Sequence, residues 1–153
     1  MIKYILISVS LCFGNALLAQ ANSEEAAKQT IERLFAGMQA TDTAMVNSVF
    51  HKSAALQSVK QNTKGNTLLD NQSITEFLKQ IAGMPKAMKI EERILRYEIK
   101  LDGIMASAWT PYEFYVNGKL SHCGVNSFQL IWQDERWQIV HVLDTRRKDC
   151  TTN

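Results

Sequence analysis

The chain has 153 residues, enough for one domain of ordinary size, with 46% apolar and 21% charged residues and only 7 Gly and 2 Pro. That composition excludes disordered, collagen-like and disulfide-dense classes and leaves a globular domain with one core. A formal charge of +2, with no basic stripe beyond Arg146-Arg147-Lys148, gives no reason to expect nucleic acid as a partner.

Residues 1–19 have the layout of a secretory signal peptide. Lys3 supplies the positive start, Tyr4 to Phe13 the apolar stretch, and Ala19 or Ala21 the small residue before cleavage. The apolar stretch is short for a membrane span and is interrupted by Ser8, Ser10, Gly14 and Asn15, and no other long apolar run follows, so the mature chain is expected to have no span. Leu11 before Cys12 does not fit a lipoprotein signal. The expected location is therefore exported, periplasmic or secreted, with one domain over residues 22–150. Removal of Cys12 leaves Cys123 and Cys150, which could form an internal disulfide, a bridge between subunits, or two separate thiols.

The mature chain opens on helix signals. Asn22 or Ser23 can cap, Glu24 and Glu25 suit the first turn, and Ala27, Ile31, Leu34, Phe35 and Met38 recur at helical spacing. Thr41-Asp42 turns and caps a short second helix through Met45, Val46, Val49 and Phe50, which His51-Lys52-Ser53 ends. Ala54 to Val59 reads as a strand. A polar loop and a short apolar piece, Thr67-Leu68-Leu69, lead to a third helix opened by a Ser73/Glu76 capping box and stopped by Gly83 and Pro85. Beyond Pro85 the period becomes two. Strands are expected over Ile90–Leu101, Ile104–Val116, Leu120–Trp132 and Trp137–Leu143, with turns at Asp102-Gly103, Asn117-Gly118 and residues 133–136. Helices followed by such a meander predict an α+β fold.

This order resembles the nuclear transport factor 2-like superfamily, which also holds ketosteroid isomerase, scytalone dehydratase and the SnoaL-like cyclases. The resemblance is carried by Asp42 with His51-Lys52-Ser53-Ala54, and by Trp137-Gln138-Ile139-Val140-His141-Val142. Two further runs, residues 111–118 (PYEFYVNG) and 121–128 (SHCGVNSF), together with Asp144-Thr145-Arg146-Arg147, are similar to its exported bacterial branch called "putative lumazine-binding". The resemblance implies a cone-shaped, curved antiparallel sheet wrapped on N-terminal helices, of cystatin-like or nuclear transport factor 2-like type, and pairing of two chains. Because this fold carries enzymes, binders and assembly modules alike, it implies no single activity.

Strand register turns the meander into a site. With Val116 opposite Lys119 and Trp132 opposite Trp137, simple counting sets Glu113 opposite His122, Trp109 opposite Asn126, and His141 opposite Phe128. One face would then collect Trp109, Glu113, Tyr115, His122, Asn126, Phe128, Leu130, Trp132, Trp137, Ile139, His141 and Leu143, and would be the concave, helix-covered one. The other face, with Ala106, Ala108, Thr110, Tyr112, Cys123, Val125 and Val142, would be a flat dimer face or a solvated one. A bulge in so curved a sheet would flip part of this assignment.

Glu113 and His122 are the most chemical pair in that register. The carboxylate could orient the imidazole as a general base, or the two could be a structural cross-strand ion pair. His141 could act as an acid or base, or be a satisfied buried histidine. Trp109 could stack on a flat ligand or belong to the core, and Tyr115, Asn126 and Phe128 would complete the pocket. The tail Arg146-Arg147-Lys148 could hold an anion at the rim or be solvated. His51, His122 and His141 show no metal-ligand spacing, so neither a metal nor a cofactor is expected. The leading expectation is binding of an unidentified small organic ligand by a homodimer. The alternatives are a cofactor-independent isomerase or dehydratase, which would lack a clear pocket aspartate, and an assembly module.

Overall fold

The structure, a computed structural model, describes residues 23–151; the expected signal peptide, residues 1–19, lies outside them. Helix α1 (Glu24–Ala40) begins at Ser23, whose side chain accepts from the Ala26 N–H, and ends at Thr41 in the left-handed region (φ 57°). Asp42 caps α2 (Thr43–Ser48) by accepting from the Met45 N–H at 2.9 Å. Strands β1 (Phe50–Gln61) and β2 (Thr67–Gln72) follow, then α3 (Ile74–Ala82), where Ser73 and Glu76 form the expected capping box. Strands β3 (Ile90–Ile94), β4 (Glu98–Asp102), β5 (Met105–Val116), β6 (Lys119–Gln133) and β7 (Arg136–Thr145) complete the chain. No helix among the described residues is long and apolar enough to cross a membrane.

The strands form one curved, unclosed sheet in the order β2-β1-β7-β6-β5-β3, with β4 pairing a second stretch of β5. The sheet is mixed, because β1 runs parallel to β7 while the other pairs are antiparallel. Three elements differ from the sequence expectation. His51-Lys52-Ser53 does not end a helix but lies within β1, in the stretch where its register against β7 shifts. Residues 67–72 form a paired strand rather than a short apolar piece before a turn. The strand expected over 90–101 is two strands, broken at Leu95–Tyr97 opposite Pro111, which has no N–H to offer a neighbour; the Leu95 N–H instead donates to the Pro111 carbonyl at 2.9 Å.

The core lies between α1 and α2 and the inner face of the sheet. Ala27, Ile31, Leu34 and Val46 pack toward Ala106, Ala108, Phe128, Leu130, Trp137 and Ile139, and the Phe35 ring meets Phe128 edge-on at 6.1 Å. Gly37, an apparent weak point in the α1 pattern, has a packing reason: a Cβ there would stand 2.9 Å from Val46 Cγ2, so its absence lets α2 fold back closely on α1.

Both hairpin turns sit where expected, with Val116 opposite Lys119 and Trp132 opposite Trp137. Each hairpin then carries a one-residue bulge. Tyr115 faces Leu120 but Phe114 faces His122, leaving Ser121 as the extra residue. Leu130 faces Ile139 but Gln129 faces His141, leaving Val140 as the extra residue. Because side chains alternate with period two, each bulge reverses the face of everything beyond it on one partner. The inner face therefore holds Ala106, Ala108, Thr110 and Tyr112 of β5 and Val142 of β7, residues expected on the flat outer face. Trp109, Glu113, Tyr115, His141 and Leu143 stand on the opposite, outer face.

Candidate functional site

Between α1, α3 and the inner face of the sheet lies a cavity of ≈ 970 Å³. Phe35 and Met38 of α1, Phe77 and Ile81 of α3, and Phe114, Phe128 and Val142 of the sheet make its apolar walls. Lys60 and Asp70, which form an ion pair and are each about half exposed, line its more open part.

Polar side chains from five strands and the chain's last segment converge on one wall. Asn126, only 5% exposed, donates from Nδ2 to Glu92 Oε1 at 2.8 Å. Asp144, the residue opposite Asn126 across β6 and β7, accepts from Ser58 Oγ on one oxygen and from Arg146 Nε at 2.8 Å on the other. The Tyr112 hydroxyl donates to the Thr145 carbonyl at 2.9 Å and lies 3.4 Å from Asp144 Oδ2. This arrangement depends on Gly124, which faces Tyr112: a Cβ there would fall 1.8 Å from the Thr145 carbonyl oxygen and 3.0 Å from the tyrosine ring.

Burial and the nearby Asp144 charge push the Glu92 carboxyl up to about 7, against the opposing pull of the Asn126 hydrogen bond and Arg146. Glu92 retains some residue-level accessibility because it opens onto the cavity, yet protein surrounds its carboxyl group. The Tyr112 phenol is held far above its ordinary range by burial, with the Glu92 and Asp144 charges adding to the effect. His122 lines the cavity, stacked on Phe114 at 4.8 Å between ring centres, with Nδ1 3.2 Å from Ser121 Oγ. Burial, then the Arg146 and Lys148 charges, lowers its pKa, which keeps the ring neutral at neutral pH.

The residues singled out from sequence divide between the two faces. His122, Asn126 and Phe128 line the cavity. Glu113 does not: it faces Cys123 rather than His122, stands on the outer face, and accepts from the Tyr115 hydroxyl at 2.7 Å. Tyr115 is thereby tied up outside, under the Arg93 guanidinium at 4.1 Å. Trp109 is 47% exposed on the same outer face, so it neither stacks in the cavity nor belongs to the core. His141 faces Gln129 rather than Phe128, and its Nε2 lies 2.9 Å from Gln57 Oε1. The bulge at Ser121 accounts for the displaced β5 residues and the bulge at Val140 for His141.

Glu92, Asp144, Tyr112 and Ser58 line the cavity and are not placed there by sequence counting, and the two aspartates there, Asp70 and Asp144, are each held in an ion pair. Arg146 belongs to the wall through Asp144 rather than to a free basic tail. Cys123 and Cys150 are joined within the chain, their Cα atoms 5.8 Å apart. With the paired Cys123 and Arg147 backbones and the Lys148 ammonium on the Ser121 carbonyl at 2.8 Å, the bridge holds the last residues against β6 and Arg146 beside Asp144. Among the described residues no group of three His, Cys, Asp or Glu side chains is placed to hold a metal ion.

Solved structures similar to this one share its fold at low sequence identity. A nuclear transport factor 2-like protein of unknown function from Shewanella baltica matches with a TM-score of 0.58 at 13% identity, over 82% of this chain and 94% of its own. A protein from Streptomyces avermitilis described as a dehydratase of the same family gives 0.61 at 12%, over 82% and 96%. The β subunit of a protein from Novosphingobium aromaticivorans, described as an aromatic-ring-hydroxylating dioxygenase, gives 0.66 at 12%, over 82% and 90%. No curated protein matches the chain by sequence. The profile of the family described as "Putative lumazine-binding" matches residues 22–143, and the chain belongs to that family, with a fold shared with nuclear transport factor 2-like proteins.

Proposed function

We propose that the protein binds a small, partly flat organic molecule in the cavity. The observation that carries this reading is the combination of ring-lined walls with one buried polar wall, Glu92–Asn126 beside Asp144–Arg146, in a space of ≈ 970 Å³. Phe114 and Phe128 supply ring contact, and Asn126 and Glu92 fix orientation. Export fits with this reading: residues 1–19 are taken as a cleaved signal, and a disulfide is compatible with an oxidising compartment. Pairing of two chains is placed on the outer face of β5 and β6, where Trp109 is half exposed.

The test is native mass spectrometry on protein purified without added ligand, beside a Leu56→Trp variant. Leu56 lines the cavity, and an indole there would occupy ligand space. A small mass retained by the wild type and absent from the folded variant is the expected result. A ligand carried equally by both would refute the placement.

One observation favours a second reading, a cofactor-independent isomerase or dehydratase. Glu92 opens on the cavity with its carboxyl raised to about 7, a value suited to taking and returning a proton near neutral pH. Of the three acid–base candidates from sequence only His122 lines the cavity, so in this reading Glu92 takes the role first given to Glu113. Loss of turnover by orders of magnitude in Glu92→Gln, with retained ligand binding, is the outcome that would favour it over simple binding.

A further inference from the structure

Six charged side chains line the cavity: Lys60, Asp70, Glu76, Glu92, Asp144 and Arg146. Five are committed elsewhere. Lys60 and Asp70 pair with each other, Arg146 pairs with Asp144, and Glu76 closes the capping box at the start of α3. Glu92 is the one without an ion-pair partner among the described residues, although the Arg146 charge reaches it. Its Oε1 accepts from Asn126, and its Oε2 accepts no hydrogen bond from the described residues.

Several donors on this wall are engaged too, while the Arg146 Nη groups, the second Asn126 N–H and His122 Nε2 have no hydrogen-bond partner among the described residues. Ser58 Oγ and Arg146 Nε give to Asp144, Tyr112 gives to the Thr145 carbonyl, and Asn126 gives to Glu92. The Glu92 carboxylate remains the one acidic group on the wall without an ion-pair partner among the described residues, in a low-dielectric setting where an unpaired carboxylate is costly and a matching cation removes the cost.

We propose that the cavity takes a cationic ligand, an organic amine carrying an apolar ring, whose ammonium group pairs with the Glu92 carboxylate. The proposal rests on the ligand-binding reading above and adds the charge of the ligand. The apolar walls receive the ring, and the ammonium completes the four-charge set of Glu92, Asp144, Arg146 and ligand.

The groups that act on Glu92 come from several sides of the wall: Asp144 and Arg146 from β7 and the segment after it, Asn126 from β6, and Tyr112 from β5, while His122 of β6 lines the same cavity. Tyr97, between β3 and β4, has its own pKa raised to about 12 by burial, then by the charges of Glu32 and Glu92, and Lys28 of α1 lies over its ring. None of these supplies a second cation inside the cavity. Because the carboxyl titrates at about 7, capture of an ammonium ion at pH 7 expels about half a proton from Glu92.

The test uses three matched probes, 2-naphthylmethylamine, 2-naphthalenemethanol and 2-naphthoate, titrated calorimetrically into the purified protein at pH 6 and pH 8. The amine should bind about tenfold or more tightly than the alcohol at pH 8, as for a hydrogen bond to a charged group, and the advantage should shrink at pH 6. Glu92→Gln should abolish the amine's advantage while the alcohol still binds, which also reports that the variant is folded. Independently of any variant, titration of the wild type at pH 7 in two buffers of different ionisation heat should show the proton release. Equal binding of amine and alcohol at pH 8, an advantage that survives in Glu92→Gln, absence of proton release, or preference for the naphthoate would each overturn the proposal. Failure of all three probes to bind would overturn the ligand-binding reading along with it. Binding of the alcohol without preference for the amine overturns the charge assignment alone.

Discussion

Glu92 makes the sharpest energetic prediction. In the unfolded chain its carboxyl titrates near 4.5, whereas in the fold burial and the Asp144 charge raise it to about 7. Below pH 4.5 the group is protonated in both states and costs nothing. As pH rises the unfolded state ionises first, so it binds fewer protons than the native state, and stability falls until the native carboxyl also ionises near 7. A displacement from 4.5 to about 7 is worth about 3 kcal/mol at 1.36 kcal/mol for each pH unit, an upper figure for a group that opens onto a cavity. Glu92→Gln removes the ionisation and keeps an oxygen for Asn126 to donate to. The variant should therefore match the wild type at pH 4 and exceed it by up to about 3 kcal/mol at pH 8. His122, whose pKa is lowered by burial, is present in both proteins, so the difference between them largely cancels its contribution. Urea unfolding of both at half-unit steps from pH 4 to 8 reads the difference directly. Parallel stability profiles would refute the argument, because they would mean that Glu92 carries no unfavourable charge in the fold.

Three other outcomes follow from the geometry. Cys150→Ser opens the loop closed by a bridge spanning 27 residues and should lower stability by about 3 to 4 kcal/mol in the chain-entropy model, measured under non-reducing conditions. Gly124→Ala places a methyl group 1.8 Å from the Thr145 carbonyl oxygen, so the end of β7 must move; a loss of more than about 2 kcal/mol is expected, and an unchanged Tm would contradict the close approach. Trp109→Glu should leave the fold intact, since the ring is half exposed, and should shift sedimentation from two chains to one if the outer face is where copies meet. A variant that sediments as the wild type does would remove that face from consideration.

The sequence made the elements legible because their signals are local. The caps at Ser23, Asp42 and Ser73, the stop at Gly83 and the turn at Asn117-Gly118 each act through adjacent residues, and each lies where expected. Register near the turns was legible for the same reason, so Leu130, Trp132, Trp137 and Ile139 were assigned to the inner face correctly. The bulges at Ser121 and Val140 were not legible, since they answer to sheet curvature and neither residue has a turn signature of its own. Glu113 and His141 lie beyond those bulges, which is why they landed on the wrong face. Glu92 was missed for another reason: the break at Leu95–Tyr97 stops any count from a hairpin reaching β3. Its neighbours then became known only once β3 was seen alongside β5.

The stretch matched by the family profile ends at residue 143, one residue before Asp144. Asp144, Thr145 and Arg146, which complete the polar wall, come after it on a segment fastened by its own covalent staple at Cys150. The polar wall thus straddles the edge of that stretch, with Ser58, Glu92, Tyr112 and Asn126 inside it and Asp144 and Arg146 beyond it. Substitutions confined to Asp144 and Arg146 would replace their ion pair while leaving Glu92 and its hydrogen bond from Asn126 in place. On the ligand-binding proposal, family membership and choice of guest can therefore diverge through changes at the end of β7 and the stapled segment after it.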